Sequence, residues 1–181
     1  KADGCTMVAL RGRPQALCHA WTCLYGLPVM IKGEKHTPIN GVTYKCLKWE
    51  EVDKGMRNQI LAVLQSAFDS YSHIQTNNWT SQYTLVTVAI LKNTIISVAT
   101  MTIYDIGPFV ENVATLPFHT NKGHSRRVIE CLLESCPFIY PYLRISKVHN
   151  PAHYLHRFYK SLGFKHMRTD KEYYVYKLDQ K

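Results

Sequence analysis

The sequence predicts an α/β domain: a mixed, mostly antiparallel sheet of six to seven strands flanked by helices. Three observations carry this. Apolar runs of strand character alternate along the chain with amphipathic runs of helical period. Two of the strand runs, YTLVTVAIL and TIISVATMTIYD, are separated only by Lys92 and Asn93, the signature of a tight antiparallel hairpin. The chain has 181 residues, 46% of them apolar, which is enough to bury a core between packed layers.

The elements follow in order. VTYKCLKW, from Val42, alternates and predicts a strand. EEVDKGMRNQILAVLQSAF predicts a helix with Met56, Ile60, Val63, Leu64 and Ala67 on its inner face. SYSHIQTNNWTSQ is a polar loop long enough to suggest function. The hairpin comes next, and then a third strand, PFVENVATL, opened by Pro108. After a short polar loop, a helix opened by Arg126 and Arg127 turns Val128, Ile129, Leu132 and Leu133 inward, and Pro137 ends it. YLRISKVH predicts a strand. Asn150-Pro151 opens a helix through Tyr154, Leu155, Phe158 and Tyr159, with Gly163 as its C-terminal cap. Two last strands flank Thr169-Asp170-Lys171. Residues 1–42 read as an N-terminal extension packed on a main domain of residues 43–181. The first residues lack an initiator Met, which suggests a piece of a longer parent chain.

Composition narrows the function. The net charge of +9 favours phosphate-bearing partners. The basic residues are dispersed, however, and no zinc-knuckle spacing or arginine-rich arm supports nucleic-acid binding. No apolar run reaches the roughly 18–20 residues of a membrane span. Six cysteines in a chain of this length do not form a disulfide scaffold, which favours cytosol or nucleus. Cys18, Cys23, His36 and Cys46 contain no CxxC pair, and His149, His153 and His156 lack a fourth ligand. No metal is therefore expected.

The stretch LPFHTNKGHSRRVIECLLES asks to hold an anion. From Thr120 through Asn121, Lys122, Gly123, His124 and Ser125, consecutive backbone N–H groups meet the start of a helix. There they are unsatisfied and lie at the positive end of its dipole. Gly123 allows a positive φ or a close approach. Lys122, Arg126 and Arg127 add charge. An ordinary strand-to-helix turn with solvated basic residues is the competing reading of the loop alone.

Two motifs weigh against that plain reading. V-A-T-L-P-F-H-T-N-K-G-H-S-R-R-V-I-E-C-L-L resembles the acetyl-CoA signature of the GNAT superfamily of N-acetyltransferases: a strand, then Q/R-x-x-G-x-G/A, then a helix. A-H-Y-L-H-R-F-Y-K-S-L-G-F resembles that family's closing helix, which ends in Tyr, three residues, then Gly-Phe, here Tyr159, Gly163 and Phe164. The order of elements over residues 43–178 fits as well. The sequence departs from the pattern at Thr120, at Asn121 and at Ser125, and Asn150 lies two residues early relative to Tyr159. The resemblance implies acetyl-CoA as cosubstrate. Its pyrophosphate would lie on the amides of residues 120–126 and its pantetheine arm along the backbone of Val113, Ala114 and Thr115, with Asn150 a further contact.

Acetyl transfer to an amine needs a proton acceptor, a hydrogen-bond donor for developing charge, and a group facing the departing sulfur. Glu111 is the acidic residue on the strand that enters the loop and is the candidate base. Strand parity puts it on the face of Phe109 and Val113. Asp105 and His119 are alternatives. Tyr159 matches the family's position for the acid. The acceptor is a primary amine, a protein lysine or N-terminus in preference to a small molecule, and Tyr71, His73 and Trp79 of the long loop could line its groove. A scaffold module that has kept the fold and lost efficient catalysis is the second reading, and a basic nucleic-acid-binding domain the third.

Overall fold

The computed structural model describes residues 41–68, 85–104, 106–136, 141–146 and 153–179. The expected extension over residues 1–42 lies outside them but for its last two residues, as do Asp105, the loop with Tyr71, His73 and Trp79, Asn150, His149 and the His153 side chain.

The strands are β1 (Val42–Lys48), β2 (Leu85–Leu91), β3 (Thr94–Tyr104), β4 (Gly107–Thr115), β5 (Tyr142–Ser146), β6 (Phe164–Thr169) and β7 (Tyr173–Leu178). The helices are α1 (Lys54–Ala67), α2 (His124–Glu134) and α3 (His153–Ser161). Together the strands make one seven-stranded sheet in the order β1-β2-β3-β4-β5-β7-β6. Every neighbouring pair is antiparallel except β4 with β5. This is the mixed, mostly antiparallel sheet that the sequence predicts.

The turns follow from local chemistry. Lys92 and Asn93 have φ of 47° and 67°, the double left-handed geometry of a type I′ hairpin. The segment Trp49–Glu51 is a separate 3₁₀ turn, because Asp53 caps α1 by accepting from the Met56 amide at 2.8 Å. Helix α1 therefore starts three residues after the Glu50-Glu51 pair. Ala67, expected on its inner face, is exposed, because the chain leaves helical geometry at the next residue. In α2, Cys131 is fully buried, whereas Leu133 is only partly so. The helix ends at Glu134, where the Ser135 hydroxyl folds back onto the Cys131 carbonyl at 2.8 Å. Gly163, at φ 95°, turns the chain from α3 into β6.

The sheet has two cores. On one face α1 packs Ile60, Val63 and Leu64 against Val86, Val88, Val98 and Ala114. On the other, α2 and α3 bury Val128, Ile129, Leu132 and Tyr159 against Ala99, Met101, Val110 and Leu143. Leu132 is wholly buried, so its truncation to Ala would cost about 2–5 kcal/mol. Cys46, Cys131 and Cys136 are buried free thiols, and burial pushes the last two up to about 12. Among the described residues no helix is long and apolar enough to cross a membrane.

Candidate active site

The central feature is a place where the sheet comes apart. Strands β4 and β5 pair only at Phe109 with Tyr142 and Val110 with Leu143. Beyond these pairs, β4 continues to Thr115 and β5 to Ser146 without meeting. The cause sits in β4. Its register with β3 passes from Val98 opposite Ala114 to Thr100 opposite Glu111, so Asn112 and Val113 together oppose one residue, Ala99. This is a β-bulge, which bends its strand and ends regular pairing. Asn112 adopts φ 49° there. Asn is one of the few side chains that tolerates that region. Its amide donates to the Thr100 hydroxyl at 3.1 Å, and that hydroxyl donates to the Glu111 carbonyl at 3.1 Å.

The bulge corrects the parity expected from sequence. Val110 and Val113 both pack on the α2 side, and Ala114 on the α1 side. Strict alternation would have put Val110 and Val113 on opposite faces. Glu111 therefore shares a face with Phe109 but not with Val113.

From Thr115 the chain runs through the turn Pro117–His119 into the loop and α2. Two residues of the loop are left-handed, Asn121 at φ 59° and Gly123 at φ 83°. The first helical hydrogen bond runs from the Arg127 amide to the Gly123 carbonyl at 3.1 Å. The amides of residues 121–126 thus have no backbone acceptor among the described residues. Alternating left- and right-handed residues at a helix start make an anion-binding concavity. The loop side chains hold this shape. The Thr120 hydroxyl donates to the Pro117 carbonyl at 2.9 Å, and the Lys122 ammonium to the Phe118 carbonyl at 2.9 Å. His124 is bonded through Nδ1 to the Tyr44 hydroxyl at 2.9 Å. Burial, with help from His119 and Lys122, lowers its pKa and so favours the neutral ring.

The departure at Ser125 has a structural reason. Its hydroxyl points back to Thr115 at 2.8 Å, and Thr115 in turn meets Ser97 at 2.7 Å. Ser97 then donates to the Ala114 carbonyl at 2.9 Å. The Ser125 side chain thus fastens the start of α2 to the end of β4. The two arginines are turned along the helices. Arg126 reaches Ser161 of α3 and Glu130, and Arg127 pairs with Glu134 at 2.9 Å, two turns down the helix.

Glu111 is the first β4 residue beyond the last β4–β5 pair. Burial raises its carboxyl pKa, opposed by the Tyr104 hydroxyl at 3.1 Å, by Thr102 and by the Arg144 guanidinium. Tyr159 is 7% exposed, edge-on to Phe158 and Phe164. Its hydroxyl makes no hydrogen bond among the described residues, and burial pushes its pKa well above the usual range for a phenol.

Sequence reasoning missed Asn112, Tyr104 and Arg144. An Asn inside an apolar strand run was the available signal for the first, because Asn is depleted from strands and enriched at left-handed positions. Nothing local marked the other two, whose roles come from pairing across strands.

A splayed mixed sheet whose fourth strand runs into a glycine-turned helix start defines the acyl-CoA N-acyltransferase architecture, and the chain has the GNAT fold. Solved structures bear this out. The PaiA N-acetyltransferase of Thermoplasma acidophilum, in complex with coenzyme A, matches with TM-score 0.57 at 13% identity, covering 77% of this chain and 99% of that one. An acetyltransferase of the GNAT family from Staphylococcus aureus matches with TM-score 0.57 at 12% identity, covering 74% and 97%. The ribosomal-protein-S18-alanine N-acetyltransferase of Escherichia coli matches with TM-score 0.57 at 14% identity, covering 74% and 90%. No family model matches the chain, and neither does any curated protein sequence.

Proposed function

We propose that the protein is an acetyl-CoA-dependent N-acetyltransferase acting on a primary amine. The observation that carries this reading is the continuity of three features: the β4–β5 splay, the left-handed loop with its row of unpaired amides, and Glu111 at the lip of the splay. The amides of Asn121, Lys122, Gly123, His124, Ser125 and Arg126 suit a pyrophosphate. The backbone of Val113, Ala114 and Thr115, freed from β5 by the bulge, suits an extended amide-bearing arm that takes the place of the missing strand. The fit is one of main chain, so Thr120 and Ser125 are compatible with it. Bound acetyl-CoA would supply an acetyl thioester.

The chain's own residues supply the rest. Transfer forms one N–C bond and breaks one C–S bond; the amine proton passes to Glu111, and the sulfur leaves as a thiolate that is protonated from solvent. Glu111, with its raised pKa, is suited to take the amine proton directly or through a water. Tyr159 is harder to ionise than a thiol, so its hydroxyl keeps its proton and donates a hydrogen bond to the leaving sulfur. Phe158 and Phe164 pack edge-on against its ring and fix where that hydroxyl lies.

Calorimetric titration with acetyl-CoA, desulfo-CoA and ATP tests the cofactor. Saturable binding of both CoA compounds, much tighter than ATP, followed by release of free thiol on adding amine, is expected. Absence of CoA binding at millimolar ligand would leave a GNAT-fold scaffold.

A further inference from the structure

The α1-side face around the lip of the splay carries a distinct chemistry. Phe109 stacks on Tyr142 with ring centroids 5.3 Å apart, and Tyr104 meets Phe109 edge-on at 5.7 Å. The Arg144 guanidinium lies 4.5 Å above the Phe109 ring and 5.8 Å from that of Tyr173. Arg144 is exposed and has no hydrogen bond or ion pair with any described residue. Register places it opposite Glu111. Phe109 pairs with Tyr142 and Val110 with Leu143, so Glu111 and Arg144 are the first residues past the last pair on their two strands. Both lie on the face of Phe109 and Tyr142. They are near enough for Arg144 to lower the pKa of Glu111, yet they form no ion pair. A second cation, Lys177, sits over the Tyr142 ring at 5.3 Å.

A guanidinium resting over an aromatic ring, with no hydrogen bond to a described neighbour, keeps its N–H fork available. That fork matches a carboxylate in bidentate geometry. A cationic acceptor would meet Arg144 and Lys177 here, and among the described residues Glu111 is the carboxylate that faces them. An acceptor with its own carboxylate would put its amine at Glu111 and its negative charge at Arg144. Neighbouring strands run about 4.8 Å apart and open beyond that at a splay, so the two groups of such an acceptor are separated by a few bonds.

We propose that the acetyl acceptor is a primary amine bearing a carboxylate within a few bonds, bound through Arg144, and not the side chain of a lysine in a basic peptide. This rests on the acetyltransferase reading above. The chemistry is shared by free amino acids and by peptide N-termini with an acidic first or second residue.

The test uses saturating acetyl-CoA and pairs of acceptors that differ only in charge. Amino acids are set against their amides, and peptides beginning Ala-Asp or Ala-Glu against Ala-Asn or Ala-Gln, with a lysine-rich peptide blocked at its N-terminus as a third arm. The readout is thiol release. An acid-to-amide ratio in kcat/KM of about tenfold or more is expected, the size of one good charge-assisted contact. Arg144→Gln should collapse the ratio to within about threefold, whereas Arg144→Lys, which keeps the charge, should retain part of it. Which pair shows the larger ratio tells free amino acid from peptide. A ratio near one in every pair, or faster turnover of the lysine-rich peptide, overturns the proposal. Equilibrium titration with the same pairs, in the presence of CoA, separates the two readings. Carboxylate-dependent binding abolished by Arg144→Gln, with no turnover, would sink the enzyme reading and keep the ligand class. Charge-independent binding would sink the ligand class.

Discussion

Tyr104 donates its hydroxyl to the Glu111 carboxylate at 3.1 Å, joining the end of β3 to the lip of the splay. The bond stabilises the charged form of Glu111 and so opposes the desolvation that raises its pKa. Removing it with Tyr104→Phe should raise that pKa further. A general base works only when deprotonated, so the acidic limb of kcat/KM should move to higher pH in the variant. A pH–rate profile of both proteins checks this. A limb that stays in place, or moves to lower pH, would detach Tyr104 from the base.

Glu111→Gln should lower turnover by about a hundredfold or more while leaving affinity for acetyl-CoA nearly intact. It should also stabilise the protein at neutral pH. The sign follows from linkage: the folded pKa lies above the unfolded value, so the folded state holds its proton longer and stability falls as pH rises between the two. Below the ordinary glutamate pKa of about 4.3 both states are protonated and the penalty vanishes. Thermal melts at several pH values should show the Gln variant ahead at pH 8 and level near pH 4. A variant less stable at pH 8 would mean that the carboxylate is needed structurally.

The fold was legible because its signals are local and repeated. Apolar periodicity marked the strands, Lys92-Asn93 the hairpin, and Gly123 and Gly163 two further turns of positive φ. The loop was legible because an amide-based anion site needs only a short turn and a helix start. The lip of the splay was not. Arg144 and Tyr104 acquire their positions through the register of β5 and β3 against β4, which one sequence does not display. Asn112 was hidden for a different reason. One extra residue in a strand shifts the face of everything after it, so counting by twos from Phe109 to Val113 failed at the bulge.

Asn112 is therefore the position to test for the splay itself. Asn112→Ala forces an alanine into the left-handed region and deletes the bond to Thr100, and should cost about 1–2 kcal/mol. Asn112→Gly keeps the backbone geometry and should cost less. If the bulge creates the arm's binding edge, Ala should weaken CoA binding more than Gly does. Denaturant melts and calorimetry on both variants decide it, and equal effects would separate the bulge from binding.

At Gly123 the constraint is conformation, because a Cβ there would meet nothing within 4 Å. The residue's φ of 83° should make Gly123→Ala destabilising by about 1 kcal/mol. Gly123→Asn should cost less. Both leave the charge of the loop unchanged, so loss of CoA affinity in the Ala variant alone would mark the left-handed turn as what aims the amides. An Ala variant as stable as the parent would mean that the loop does not hold this turn.

Tyr159 gives the sharpest contrast between structure and chemistry. Its ring is core, packed edge-on against Phe158 and Phe164, while its hydroxyl has no partner among the described residues. A hydroxyl that makes no hydrogen bond within the described residues adds little to the fold. Tyr159→Phe keeps the ring, so stability should stay within about 0.5 kcal/mol or rise. If the hydroxyl steadies the leaving sulfur, it acts only as charge develops. Its removal should then lower kcat by about a hundredfold with KM for acetyl-CoA unchanged. A thermal melt beside steady-state kinetics reads both numbers from one preparation. Lost stability with unchanged kcat would make Tyr159 a packing residue and leave the departing sulfur to solvent.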